Sequence, residues 1–224
     1  RLAFDELLRV QLVLVMRKRA IERDSVGIQH KTNGQLVSRF YQHLPYQLTG
    51  AQHRVIAEIE SDLAGPHPMH RLLQGDVGAG KTIVAVAAML TAVQGGHQGA
   101  IMAPTEVLAE QHAVGIRQLL QGLVIPDADS LFGEREVRVE LLTSSVTAER
   151  RRDVLAGLAD GRVDIAIGTH ALIQDTVVFH SLGVVVIDEQ HRFGVEQRAA
   201  LRAKGEGAGA VPDEPRRGAQ RRLP

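Results

Sequence analysis

The residues best spaced for chemistry are Gly75-Asp76-Val77-Gly78-Ala79-Gly80-Lys81-Thr82, which follow the apolar pair Leu72-Leu73 and precede an apolar run opening at Ile83. A phosphate chain carries several negative charges, so the backbone must curl with its N–H groups inward, and the glycines permit that curl. A helix opening near Lys81 adds the positive end of its dipole at the same point. The spacing G-x-x-x-x-G-K-T is a complete Walker A pattern, in which Lys81 reaches the β- and γ-phosphates and the Thr82 hydroxyl ligates Mg2+. A ligand-free glycine turn is the plainer alternative. The strand before, the helix after and a carboxylate pair later in the chain weigh against it.

That pair is Asp188-Glu189, directly after Val184-Val185-Val186-Ile187. Four apolar residues predict a buried strand, and the carboxylates then sit at its carboxyl end. A small hard cation among phosphates prefers oxygen ligands, so Asp188 is the candidate for Mg2+, and Glu189 is placed to orient or deprotonate an attacking water. Gln52, in Leu48-Thr49-Gly50-Ala51-Gln52, offers an amide donor and acceptor that could bracket an adenine edge, although most glutamines on helices are simply solvated. Thr105 and the turn Gly168-Thr169-His170 each follow an apolar strand and open a helical stretch. Free N–H groups and hydroxyls there suit nucleic-acid phosphates, and helix capping explains either one alone. The ten histidines show no metal-ligand spacing, and Arg150-Arg151-Arg152 reads as a solvated helix face.

The elements that must position these groups alternate. Apolar strands are predicted at 71–73, 99–102, 137–142, 164–167 and 183–187, and helices at 49–63, 81–94, 105–120 and 147–160. Short continuous apolar strands between helices predict an α/β fold with a mainly parallel sheet covered on both faces. Right-handed crossovers then gather the strands' carboxyl ends on one edge, where ligands of such sheets bind. Upstream, residues 4–23 predict one amphipathic helix, and the polar, mixed stretch 25–44 reads as a linker ended by Pro45.

Composition limits the partners. Lys plus Arg and Asp plus Glu both number 26, so any surface for a polyanion must be local. Cysteine is absent, which removes disulfides and thiolate metal sites. The longest apolar run, 12–16, is far too short to span a bilayer and no signal peptide is evident, so a cytoplasmic protein is expected.

The stretches GDVGAGKT, APTEVLAEQH, LLTSS, GTHALIQ and VVIDEQHRFGVEQR together resemble superfamily-two helicases, and among them the RecG branch-migration helicases. The resemblance runs from about Leu2 to Lys204. It implies a RecA-like P-loop lobe of an ATP-driven motor that remodels branched DNA, stalled forks and Holliday junctions in repair and recombination. It further implies ATP on Gly75 to Thr82, Mg2+ and water handled by Asp188 and Glu189, and adenine at Gln52. Thr105, Gly168, Thr169 and His170 match positions facing DNA, and Gln190 and His191 match positions that couple hydrolysis to movement. Transcription-repair coupling translocases have a similar lobe, but they tend to read VPTT, GTHKLL and DEEH where this chain has APTE, GTHALI and DEQH. A non-catalytic nucleotide- or DNA-binding fragment is the alternative of another class.

On this basis residues 1–45 are expected to form a helical linker segment, 46–204 the ATP-binding lobe, and 205–224 a tail of non-family, disordered character. That tail is rich in Gly, Ala, Pro and Arg, as a truncated or frame-shifted product would be. The resemblance implies that an upstream wedge domain and a second motor lobe are missing here, and that the chain alone binds ATP but turns it over poorly.

Overall fold

The computed structural model describes residues 2–24, 27–127, 130–194 and the single positions 197, 200 and 204. The expected tail 205–224 lies outside the described residues. Four parallel strands form the central sheet in the order β4-β5-β1-β6: β1 (Gln98–Met102), β4 (Val139–Leu142), β5 (Ile165–Gly168) and β6 (Leu182–Ile187). Register runs Ile101↔Ile167 and Ile101↔Val186, so the carboxyl ends of β1, β5 and β6 lie level. A separate antiparallel pair, β2 (Val124–Pro126) and β3 (Glu134–Glu136), was not anticipated from its charged sequence.

Alternation along the strands sends successive side chains to opposite faces. Ile101, Ile165, Ile167 and Val184 pack into one core with α2 (Gln35–His43), α3 (Gly50–Leu63), α4 (Lys81–Gln94) and α5 (Glu106–Leu120). The smaller Ala100 and Ala166 face a second core with Val154 and Leu158 of α6 (Ala148–Ala159). The result is the helix–sheet–helix layering expected of the α/β class.

Three expectations are corrected. The stretch 25–44 is not a bare linker: α2 buries Leu36, Val37 and Phe40 and packs against α4. No strand forms at 71–73. Among the described residues β6 pairs only with β1, and Leu72 is 68% exposed. Two leucines without a second flanking strand bury too little surface to hold a ladder. Instead Arg71 fastens this stretch to α3, its Nε to Asp62 Oδ2 at 2.5 Å and its Nη1 to Glu58 Oε2 at 2.6 Å. Arg150 is also no simple solvated residue, since its Nη2 meets the buried Glu140 carboxylate at 2.6 Å. The predicted N-terminal helix is present as α1 (Leu2–Asp24), with positions 4–16 exposed on every side.

Candidate nucleotide and nucleic-acid site

The glycine loop closes against α3 and opens α4. Gly80 caps α4 with φ 76°, a left-handed conformation that a residue with a Cβ adopts only at a cost. A Cβ there would also lie 2.3 Å from Gln52 Nε2. Gln52 belongs to a capping box at the start of α3: its backbone N–H donates to Thr49 Oγ1 (3.2 Å), and its Oε1 accepts from Thr49 N (2.8 Å). Its remaining amide donor reaches the Ala79 carbonyl of the loop at 3.0 Å. Both ends of the amide are thus engaged by protein, so contact with an adenine edge requires it to exchange a partner. Lys81 Nζ donates to the carbonyls of Gly75 (2.7 Å) and Asp76 (2.8 Å), folding over the loop. Val77, at the loop tip, is fully exposed, and Ala79 N–H closes the turn onto Asp76 O at 3.2 Å.

The carboxylates follow β6. Asp188 N–H donates to Met102 O (3.0 Å), carrying the chain past the end of the sheet. Glu189 then takes φ 49°, ψ 51°, the one non-glycine residue with positive φ among those described. A side chain held there costs about 1–2 kcal/mol, and such strain concentrates at functional turns. Asp188 Oδ1 accepts the Glu189 N–H at 3.0 Å and steadies the kink. Its other oxygen, Oδ2, lies 2.9 Å from His112 Nε2 on α5.

Loop and carboxylates share one edge of the sheet. Helix α4 ends in Gly95-Gly96 and leads at once into β1, so its carboxyl end is at the amino edge, where Ala92 lies against Gly183. From Ala92 back to Lys81 the helix climbs about 16 Å at ~1.5 Å per residue. From Gly183 to Asp188 the strand climbs about 16 Å at ~3.3 Å per residue. Lys81, Thr82 and Asp188 therefore arrive at the same level, with α4 packed on both β1 and β6.

Among the described residues no three His, Asp or Glu side chains cluster as a metal cage. The donors on offer, one hydroxyl and one carboxylate, are hard oxygens. Such a sparse set fits Mg2+, which takes few protein ligands and completes its shell with water and phosphate.

The family follows from comparison with known proteins. Residues 49–211 match the model of the DEAD/DEAH box helicase family. The chain belongs to that family. This helicase lobe is 48% identical to the ATP-dependent DNA helicase RecG of Bacillus subtilis over 206 residues, covering 92% of the chain and 28% of that protein. It is 50% identical to RecG of Synechocystis over 205 residues, covering 92% of the chain and 23% of that protein. A solved structure of RecG bound to a three-way DNA junction superposes with TM-score 0.71 at 41% identity, covering 85% of this chain and 24% of that one. The chain thus spans about a quarter of the length of these relatives. The UvsW helicase of bacteriophage T4, at TM-score 0.52 and 12% identity, shares the fold.

The other residues singled out in the helicase lobe are less uniform. Thr105 is exposed and caps α5, its Oγ1 accepting from Leu108 N at 3.3 Å. His170 is exposed and lines a cleft of about 560 Å³ with Ile173, Gln174 and Thr176. Thr169, by contrast, is only 3% exposed, and its hydroxyl is buried without a partner. A Cβ at Gly168 would sit 2.3 Å from the Leu142 carbonyl oxygen, so that glycine answers to close packing of neighbouring strands. Direct phosphate contact by the Thr169 side chain therefore requires the turn to open. Gln190 and His191 lie in the 3-10 turn Gln190–Arg192, next to Glu189.

Sequence reasoning missed His112. It stood inside APTEVLAEQH, yet nothing in helical periodicity marks which histidine turns toward a carboxylate from another strand. It also missed a histidine pair at the amino edge, His30 and His97, whose rings meet edge to face at 5.2 Å. Burial, reinforced by His97, lowers the His30 pKa to about 4, and burial lowers that of His97 too.

Proposed function

We propose that this chain is the first motor lobe of a RecG-type ATP-dependent helicase acting on branched DNA. The observation that carries the reading is the arrival of Lys81, Thr82 and the Asp188-Glu189 pair at one level of one sheet edge. The relatives named RecG, one of them solved on a three-way DNA junction, supply the substrate class. Residues 46–204 together with α2, which packs into the same core, form the lobe, α1 precedes it, and the setting is the cytoplasm.

On this reading Gly75, Asp76, Val77, Gly78, Ala79 and Gly80 wrap the phosphates with backbone N–H groups. Lys81 exchanges the Gly75 and Asp76 carbonyls for phosphate oxygens, and Gln52 turns toward adenine. Thr82 and Asp188 hold Mg2+, which when bound neutralises charge on the phosphates. Glu189 orients the attacking water, while Gln190 and His191 relay the state of the site to the rest of the motor. The exposed Thr105 and His170 face DNA phosphates, and the Gly168-Thr169 turn joins them once it opens.

Catalysis in such motors draws on arginines supplied across a second lobe, each worth about 10³ to 10⁵ in rate. The isolated chain is accordingly expected to bind Mg2+-nucleotide weakly and to hydrolyse it very slowly, with or without forked DNA. ATPase assays with forked DNA test this: strong DNA-stimulated turnover by the 224 residues alone would contradict the single-lobe reading.

A further inference from the structure

His112 carries no role in the function proposed above, yet it touches the carboxylate on which that function turns. The contact joins α5 to the end of β6: His112 Nε2 lies 2.9 Å from Asp188 Oδ2, with both side chains largely shielded from solvent, at 21% and 33% exposure. An ionised carboxylate only accepts hydrogen bonds, so Nε2 carries the proton and donates. The opposite oxygen, Oδ1, is held at 3.0 Å by the Glu189 N–H. Asp188 is therefore gripped from both sides, once by its own chain and once by a neighbouring helix, and each oxygen keeps a lone pair.

The helix that supplies the second grip is itself fixed near the same edge. Glu106, in its first turn, accepts the Ser144 N–H at 3.0 Å and so ties α5 to the loop after β4. A carboxylate free to rotate must lose that freedom when it orders a cation's water shell. One already pinned does not. Partners of this kind hold metal-binding side chains in orientation, and removing them costs about 10- to 100-fold in metal affinity.

We infer that His112 is a positioning residue for the magnesium carboxylate: its Nε2–H fixes the Asp188 rotamer so that Mg2+ tightens nucleotide binding. The inference rests on the nucleotide site proposed above. Its test titrates MgCl2 into the full chain with a fluorescent N-methylanthraniloyl-ADP, comparing wild type, His112→Ala, His112→Gln, His112→Asn and Lys81→Ala.

Expected for His112→Ala is a Mg2+ midpoint raised about 10-fold or more, with affinity in EDTA unchanged. His112→Gln, whose amide nitrogen can stand where Nε2 stood, should return the midpoint to near wild type, and the shorter His112→Asn should not. An unchanged midpoint in His112→Ala overturns the inference, as does an equal loss in Mg2+ and in EDTA, which would mark a packing role. If His112→Ala does not fold, equal midpoints for the Gln and Asn variants overturn it instead. Absence of binding by wild type and Lys81→Ala alike would refute the nucleotide site itself, a result distinct from all of these.

Discussion

Gln52 Nε2 donates to the Ala79 carbonyl at 3.0 Å, tying the cap of α3 to the glycine loop twenty-seven residues later. Gly80→Ala strikes this contact twice, by placing a Cβ 2.3 Å from the amide and by forcing an alanine to φ 76°. The variant should lose about 1–2 kcal/mol of stability from the backbone alone and most of its nucleotide affinity. Denaturant unfolding and nucleotide titration measure the two effects separately.

Lys81→Ala removes the ammonium that now bridges Gly75 O and Asp76 O. The loop is exposed, so the fold should survive with a melting temperature within a few degrees of wild type. Nucleotide binding should fall below detection. Retained affinity in a calorimetric titration would refute the phosphate-loop assignment.

Relief of strain makes Glu189→Gly informative. Glycine at φ 49° escapes the penalty of about 1–2 kcal/mol but adds roughly 0.5–1 kcal/mol of unfolded-state entropy. The net expectation is a variant as stable as wild type or slightly more so, still binding Mg2+-nucleotide. Placed in a complete two-lobe enzyme, the same change should stop hydrolysis. Paired unfolding curves and single-turnover ATPase assays check both halves.

Burial at the amino edge predicts a pH dependence. His30 and His97 both have folded-state pKa values below the ordinary 6.5, His30 at about 4. An unfolded chain therefore takes up protons that the folded one refuses as pH falls from 6.5 toward 4. Stability from the neutral pair is full above pH 6.5 and declines through that window, by up to about 3 kcal/mol for His30. His30→Leu should flatten the decline. Urea unfolding of both proteins at pH 7, 5.5 and 4.5 would expose an unchanged slope.

Asp164, 5% exposed, accepts two bonds from Arg135 (2.6 and 2.9 Å) and one from Arg138 N–H (2.7 Å). Asp164→Ala takes the main partner from a largely shielded guanidinium, leaving it Asp127 at 3.3 Å and the Glu136 carbonyl at 3.2 Å, and strands the Arg138 backbone donor. We expect a loss on the order of 3 kcal/mol, read as a lower urea midpoint.

Much of this architecture was legible in the residues. The predicted bounds of α4 agree with the structure, because glycine at both ends and an unbroken apolar run leave little choice of where a helix can begin or stop. The helices predicted to open at Thr49, Thr105 and Thr147 each begin one residue later with that threonine as the cap, since a hydroxyl that satisfies an orphan N–H is a local matter. What escaped notice depended on neighbours distant in sequence. Leu36, Val37 and Phe40 look sparse among polar residues until α4 is there to receive them. Thr169 reads as a surface hydroxyl, and only the folded chain leaves it 3% exposed. The grip of His112 on Asp188 spans 76 residues, and no periodicity encodes it.

Among the described residues β6 forms one margin of the sheet; the register slips at Gly183, and beyond it the Val184-Val185-Val186-Ile187 run carries no lysine or proline to repel a newcomer. An unguarded margin of this kind is a template for foreign strands. Concentrated preparations of the polypeptide should therefore self-associate through intermolecular ladders well before they melt. A short charged peptide complementary to that border should keep them dispersed.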